Sequence, residues 1–256
     1  MSQDIRKLLE GWDYEPDEIV VRIIPGDDGR DKIQMRVDLG LLQMEMDGRP
    51  DGTRPEGRES WLDYYEEQQR AHEAARTDAP FALEDEDCYR LWREGVQYYH
   101  RYLSLWHLKL YDRCARDTAR NMRLFAFVRQ HARTDRNKFQ FDQWRPYVTM
   151  MHARAVATPL VEKGEFTEAL QAVETGIEGI RRFLEEHRQS HRADECLELK
   201  NLEQWRDEVM AEADRAGKGE PARSLLLLQQ RLRQAVADER FEEAARLRDE
   251  IRRLSG

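Results

Sequence analysis

Two histidines in the C-terminal half have the spacing of paired metal ligands. His187 and His191 lie four positions apart, close to Glu185, Glu186, Asp194, Glu195 and Cys196. Residues four apart share one face of a helix, so two imidazoles there can reach one ion. The stretch HRQSHRADE is nevertheless of mixed charge, which is typical of a helix end or loop on the surface. We therefore favour a polar surface over a metal site.

Other residues with catalytic chemistry lack the neighbours that catalysis requires. His100, His107, His131 and His152 have no carboxylate or serine at a recognisable motif spacing. Cys88, Cys114 and Cys196 show no metal-like spacing, which fits a reducing cytoplasm without disulfides. The acidic run at 84–87 precedes a predicted helix, whose positive end it favours. We expect no catalytic residue, no metal and no cofactor.

A basic, aromatic segment at residues 97–155 is the candidate for nucleic-acid binding. It holds 12 basic and 4 acidic residues among many aromatic side chains, a composition found on nucleic-acid stacking surfaces. The candidate contacts are Arg113, Arg116, Arg120 and Arg123. The alternative is that acidic residues of the flanking segments 1–96 and 156–220 neutralise this basic block within the chain. We favour neutralisation, and nucleic-acid binding remains the alternative.

The composition favours long solvated helices around these residues. Of the 256 residues, 36% are charged and 40% are hydrophobic, which does not suit a buried parallel sheet. There is no run of about 18 apolar residues and no apolar leader of the secretory type. We therefore expect a cytoplasmic protein with no membrane span.

The first part of the chain predicts a small sheet. Ile33, Met35 and Val37 alternate with polar residues, and Leu42, Met44 and Met46 do the same after a short Gly-containing turn. Alternation is the period of a strand with one buried and one wet face. We predict a three-stranded antiparallel meander over about 18–47, whose apolar face is covered by helices or by a second copy of the chain.

Helical periodicity replaces this alternation from about residue 57 onward. The first predicted helix begins near Trp61, runs to about Arg76 and is broken at Thr77–Pro80. Further helices are predicted at about 84–105, 108–131, 146–163, 166–187, 195–215, 221–237 and 241–254. The stretch between the third and fourth helices is predicted to be non-helical, and Pro159 predicts a kink or an early stop.

A glycine-containing segment separates the last two predicted helices from those before them. Gly217–Pro221 reads as a linker. We predict a small α+β meander region at 1–55, a helical domain at 56–216 and a C-terminal hairpin at 221–256. The predicted fold class is mainly α.

Three predicted hairpins share one pattern, an aromatic residue after the turn and a small residue three positions later. We expect the aromatic ring to plug the open end of the hairpin and the small residue to allow close helix approach. The pairs are Tyr111 with Cys114, Phe166 with Ala169, and Phe241 with Ala244.

The middle hairpin, at about 153–187, resembles a tetratricopeptide-repeat unit. Gly164, Phe166, Ala169 and Gly176 match its turn and packing positions, whereas Pro159 departs from it and no further repeat follows at the expected interval. The resemblance covers about 35 residues. It implies a tetratricopeptide-like helical domain, a class that binds peptides or proteins in a concave groove.

The C-terminal sequence LQQRLRQAVADERFEEAARLRDEIRRL, residues 228–254, resembles the UVR motif. This helical hairpin occurs in the excinuclease B and C subunits, in Clp-type ATPases and in the activator of bacterial protein-arginine kinase. The resemblance covers about 30 residues and includes no nuclease or helicase part. It implies docking to another protein, by family an excinuclease subunit or a Clp-type ATPase system.

Some thirty residues bury little surface alone, so the hairpin needs the rest of the chain, a second copy or another protein. The predicted partner-binding residues are Leu232, Val236, Phe241, Ala244, Ala245, Leu247, Arg248, Asp249 and Ile251. The favoured function is a non-catalytic bacterial interaction scaffold or adaptor. The alternative is a DNA-repair accessory factor that binds nucleic acid through the basic block.

Overall fold

The computed structural model describes residues 4–75 and 79–254, without the Leu254 side chain. It confirms the predicted fold class: the chain is mainly helical, with an N-terminal three-stranded antiparallel sheet and a C-terminal pair of helices. The described chain forms two compact units, which divide at Trp144 and Arg145. The predicted end of the first helix at Arg76, Thr77 and Asp78 lies outside the described residues.

The first unit begins with a short helix and the meander. Helix α1 is Arg6–Leu9, and the strands are β1 (Val21–Pro25), β2 (Asp31–Val37) and β3 (Gly40–Glu45). The sheet order is β1-β2-β3, and both pairs are antiparallel. Ile33 and Met44 are buried, and β2 packs on a helix of the same unit.

The predicted wet face of β2 is wrong at two residues. Lys32 and Gln34 are both more than nine-tenths buried. The Lys32 ammonium donates to Asp28 Oδ2 at 2.8 Å and to Glu45 Oε1 at 2.6 Å, which compensates its loss of water. Gln34 accepts from Arg22 Nε at 2.8 Å and donates to Gln43 at 2.9 Å, forming a polar ladder across the three strands.

Four more helices follow among the described residues of the first unit. They are α2 (Trp61–Ala74), α3 (Asp85–His107), α4 (Tyr111–His131) and α5 (Asp135–Asp142). Helix α5 lies in the stretch that was predicted to be non-helical, so that prediction is wrong. The Thr134 hydroxyl caps α5 by accepting from Asn137 N at 3.3 Å, and Phe141 is fully buried between Trp92 and Phe125.

Buried charges join these helices to the meander. Arg101 is 1% exposed and forms a bidentate pair with Asp117 through Nε–Oδ2 at 2.6 Å and Nη2–Oδ1 at 3.0 Å. Its third nitrogen, Nη1, donates to Glu45 O at the end of β3. Glu94 is fully buried and accepts from Trp61 N and Leu62 N, at the first turn of α2. Arg101 thus joins α3 to α4 and to β3, and Glu94 joins α3 to α2.

In its described part, residues 145–254, the second unit has five helices. They are α6 (Arg145–Glu162), α7 (Phe166–Glu186), α8 (Leu197–Arg215), α9 (Gly219–Ala237) and α10 (Phe241–Leu254), with a 3-10 turn at Ser190–Glu195 before α8. Helix α6 continues through Pro159 to Glu162, so Pro159 causes no early stop. The apolar face of α7 supplies much of the core through Leu170, Val173, Ile177 and Ile180, each fully buried.

The predicted linker at Gly217–Pro221 is a tight turn followed by the first turn of α9. Gly217 has φ +71°, and Lys218 N donates to Ala213 O at 2.8 Å, which ends α8. A Cβ on Gly219 would lie only 3.2 Å from the Asp214 Cα and would overlap the Asp214 carboxylate. The α9 residues Ala222 and Leu225 are fully buried, so this helix is part of the second unit.

Within the described ranges, none of the helices combines the length and apolar character that crossing a bilayer requires.

Candidate functional site

The C-terminal hairpin is built from the facing apolar sides of α9 and α10. Its turn places Glu239 at φ +58°, and Arg240 N donates to Ala235 O at 2.7 Å. The other two predicted hairpins have the same left-handed backbone conformation in their turns, at Lys109 and at Gly164. The hairpin core consists of Leu225, Leu228, Leu232, Ala235, Ala244, Leu247 and Ile251.

The aromatic residue after this turn behaves differently in the three hairpins. Phe166 is 5% exposed, as predicted for a plug, and Tyr111 is half-buried against Trp106. Phe241 is 67% exposed, so the predicted plug is wrong for the last hairpin. The buried α9–α10 core includes Ala235 and Ala244 but not this ring. The small residues of the three hairpins, Cys114, Ala169 and Ala244, are all buried.

The predicted partner-binding residues therefore separate into two groups. The buried or half-buried group lies within or beside the hairpin core and comprises Leu232, Ala244, Ala245, Leu247 and Ile251. The exposed group comprises Val236, Phe241, Arg248 and Asp249. Phe241 and Arg248 are seven positions apart on α10 and share one helix face. Among the described residues Arg248 has no ion-pair partner, so this face offers an apolar ring and a free cation.

Helix α9 is fixed to α7 by a partly buried group of ion pairs. Arg233 Nη1 lies 2.7 Å from Glu174 Oε1 and 2.7 Å from Glu178 Oε1, and Glu174 is only 2% exposed. Burial opposes the charge of Arg233, yet the hydrogen bonds to Glu178 and Glu174 raise the pKa of its guanidinium. Sequence reasoning missed this pair, because nothing in the pattern of either helix relates the two positions.

A groove of about 770 Å³ lies beside this contact, between the C-terminal half of α7, the 3-10 turn and the hairpin. Its apolar wall includes Leu184, Leu232, Val236 and Ile251, and charged residues of α7 form its rim. Gln229 also lines the groove and is 9% exposed, and within the described chain its Oε1 has no hydrogen-bond partner. Sequence reasoning missed Gln229, although a polar residue inside the Leu225–Leu232 apolar stripe was the available signal.

The four candidate nucleic-acid contacts on α4 each contact an acidic side chain of the first unit. Arg113 and Arg116 both pair with Asp47. The hydrogen bond from Arg113 is the main cause of the lowered pKa of Asp47. Arg120 pairs with Glu94. Arg123 lies 3.0 Å from Asp63 and 3.1 Å from Glu66. This arrangement is the one expected if acidic segments neutralise the basic block within the chain.

The other candidate groups are dispersed. His187 packs on Phe183 with ring centroids 4.5 Å apart, whereas His191 lies in the exposed 3-10 turn. Among the described residues, no three His, Cys, Asp or Glu side chains are placed to hold a metal ion. Burial raises the pKa of the Cys114 thiol to about 12, which keeps it protonated and unreactive at neutral pH.

Comparison with known proteins identifies one segment. Residues 223–256 match the family model of the UvrB/uvrC motif, which confirms the predicted UVR resemblance over α9 and α10. This motif is found in UvrB/UvrC-type proteins and mediates protein interactions. No curated protein and no solved structure matches the chain.

Proposed function

We propose that this protein is a non-catalytic interaction scaffold or adaptor that docks to another protein through its C-terminal hairpin. The observation that carries the proposal is the exposure of Phe241 at the hairpin turn, inside the segment that matches the UvrB/uvrC motif. Aromatic side chains that become buried at the centre of an interface commonly dominate the binding energy. Arg248, on the same face of α10, sets orientation more than affinity.

By resemblance, the partner is an excinuclease subunit or a Clp-type ATPase in a bacterial cytoplasm. A second copy of the chain is the other candidate. The tetratricopeptide-like hairpin α6–α7 serves in this proposal as the rigid support of α9, because Arg233 of α9 pairs with Glu174 and Glu178 of α7.

The basic block gives little support to the DNA-repair alternative. Phosphate groups would have to displace Asp47, Glu94, Asp63 and Glu66 from the four arginines that were the candidate contacts. A labelled oligonucleotide titrated at low salt tests it, because phosphate binding must weaken steeply as salt rises. Saturable, salt-dependent binding would restore the alternative.

The proposal is tested with the full-length chain and two single variants. Phe241→Ala removes the exposed ring, and Leu227→Ala is the matched control, because Leu227 is 56% exposed on α9 outside the hairpin turn. Binding to purified excinuclease B and C subunits and to a Clp-type ATPase is measured by calorimetry, and self-association by light scattering. We expect Phe241→Ala to weaken one of these interactions on the order of thirtyfold or more, the size of an interface hot spot. Equal behaviour of the three proteins contradicts the proposal.

A further inference from the structure

The groove between α7 and the hairpin carries a second inference. We propose that it binds a peptide segment of a partner protein in which an apolar side chain stands between an acidic and a basic one. The groove is separate from Phe241, which is not among its lining residues. Its volume of about 770 Å³ lies within the range of sites that enclose a ligand of this size.

The apolar wall selects the central side chain of the peptide. Leu184 and Ile251 are less than a tenth exposed, whereas Val236 is 53% exposed. Leaving Val236 in water is unfavourable, and an inserted aliphatic side chain would cover it. The wall therefore favours an apolar residue of leucine or isoleucine size.

Gln229 lines the groove but does not determine its occupant. The side chain is nine-tenths buried, and within the described chain its Oε1 is closed off from solvent and has no hydrogen-bond partner. A peptide N–H could reach this oxygen only after neighbouring atoms move. The occupant is therefore determined by the apolar wall and the charged rim.

The charged residues at the rim of the groove determine which residues flank the apolar residue of the peptide. Arg181 is paired with Glu203, and Glu178 with Arg233, so these rim charges are already compensated. Arg182 and Glu185 also line the groove, one helical turn apart on α7, and neither has an ion-pair partner in the described ranges. One free cation and one free anion at this spacing are complementary to a peptide with one acidic and one basic residue.

The test uses fluorescence anisotropy of full-length protein with a pair of labelled short peptides of equal composition, one ordered Glu-Leu-Lys and the other Lys-Leu-Glu. We expect saturable binding with a preference for one order. The double variant Arg182→Glu with Glu185→Arg should invert that preference, because it exchanges the two free charges and leaves the apolar wall unchanged. Absence of binding, or an unchanged preference in the double variant, overturns the proposal. Tighter binding of peptides with two glutamates or two lysines also overturns it.

Two further comparisons locate the peptide. Val236→Asp places a charge on the wall and should weaken binding on the order of tenfold or more, whereas the matched control Leu227→Asp, on a surface of α9 that does not line the groove, should not. Equal effects at the two α9 positions contradict the site. Unchanged peptide binding by Phe241→Ala separates this site from the hairpin turn, and a loss there would contradict the separation.

Discussion

The variant Gly176→Ala tests the closest helix contact in the second unit. Gly176 lies on α7 where α6 and α8 both approach. A Cβ added there would lie 2.6 Å from the Ala153 Cβ and 3.0 Å from the Leu202 Cδ1. Carbon atoms pack best at about 3.5–4.0 Å, so the helices must separate by roughly 1 Å.

The expected size of the effect follows from two opposed contributions. Replacing a glycine inside a helix by alanine stabilises it by about 0.5–1 kcal/mol, and overpacking a tight core costs about 1–3 kcal/mol. We expect Gly176→Ala to lower the free energy of unfolding of this region by about 1–2 kcal/mol. Gly179→Ala is the matched control on the same helix, because its Cβ would meet only Thr149 Cγ2, at 3.2 Å. It should be neutral or stabilising by about 0.5 kcal/mol.

Hydrogen exchange measured by mass spectrometry is the appropriate assay, because a chain with two compact units need not unfold in a single transition. A difference of about 2 kcal/mol between the two variants corresponds to roughly thirtyfold faster exchange of the α6 and α7 amides in Gly176→Ala. Equal exchange in the two variants, or slower exchange in Gly176→Ala than in the wild type, would refute the close approach of the three helices.

Four other substitutions have expected outcomes that denaturation experiments can check. Phe166→Ala should cost about 3–5 kcal/mol because the ring is 5% exposed, whereas Phe241→Ala should cost less than about 1 kcal/mol; similar losses would contradict the different roles of the two rings. Asp117→Asn should cost about 3–5 kcal/mol because it leaves a buried guanidinium without its counter-charge, and a loss below about 1 kcal/mol in urea unfolding would show that the pair is dispensable. Glu239→Gly should stabilise the hairpin by about 0.5–1 kcal/mol, since its φ is +58°, and a lower melting temperature would oppose this.

The sequence predicted the elements whose periodicity is strong and missed those that depend on distant contacts. The meander and the helices from α6 to α10 follow from alternation and helical spacing within each segment. Helix α5 was missed because its polar residues hide one decisive buried ring, Phe141. Burial of Lys32 was missed because Glu45, which compensates its charge, lies on another strand.

The candidate site was predicted only in part for the same reason. The motif located the hairpin, and helical spacing identified Leu247 and Ile251 as apolar residues. Spacing did not separate residues that close the hairpin from residues left in water, since this depends on where the two helices touch. Phe241 was expected to plug the turn and lies outside it. The groove was not predicted, because α7 and α9 are far apart in the sequence.

The tight turn at Gly217 has a consequence for dividing this protein into pieces. The family match begins at residue 223, inside α9, yet Ala222 and Leu225 of that helix are seated in the second unit. Removing everything after residue 218 would remove Ala222 from the core that it shares with α7 and α8, so loss of binding would be confounded with damage to the support. A deletion after Ala237 removes α10 alone. This deletion leaves α9 attached to the second unit but takes Ala244, Leu247 and Ile251 out of the hairpin core. Within the motif, α9 therefore provides the attachment, and α10 carries Phe241.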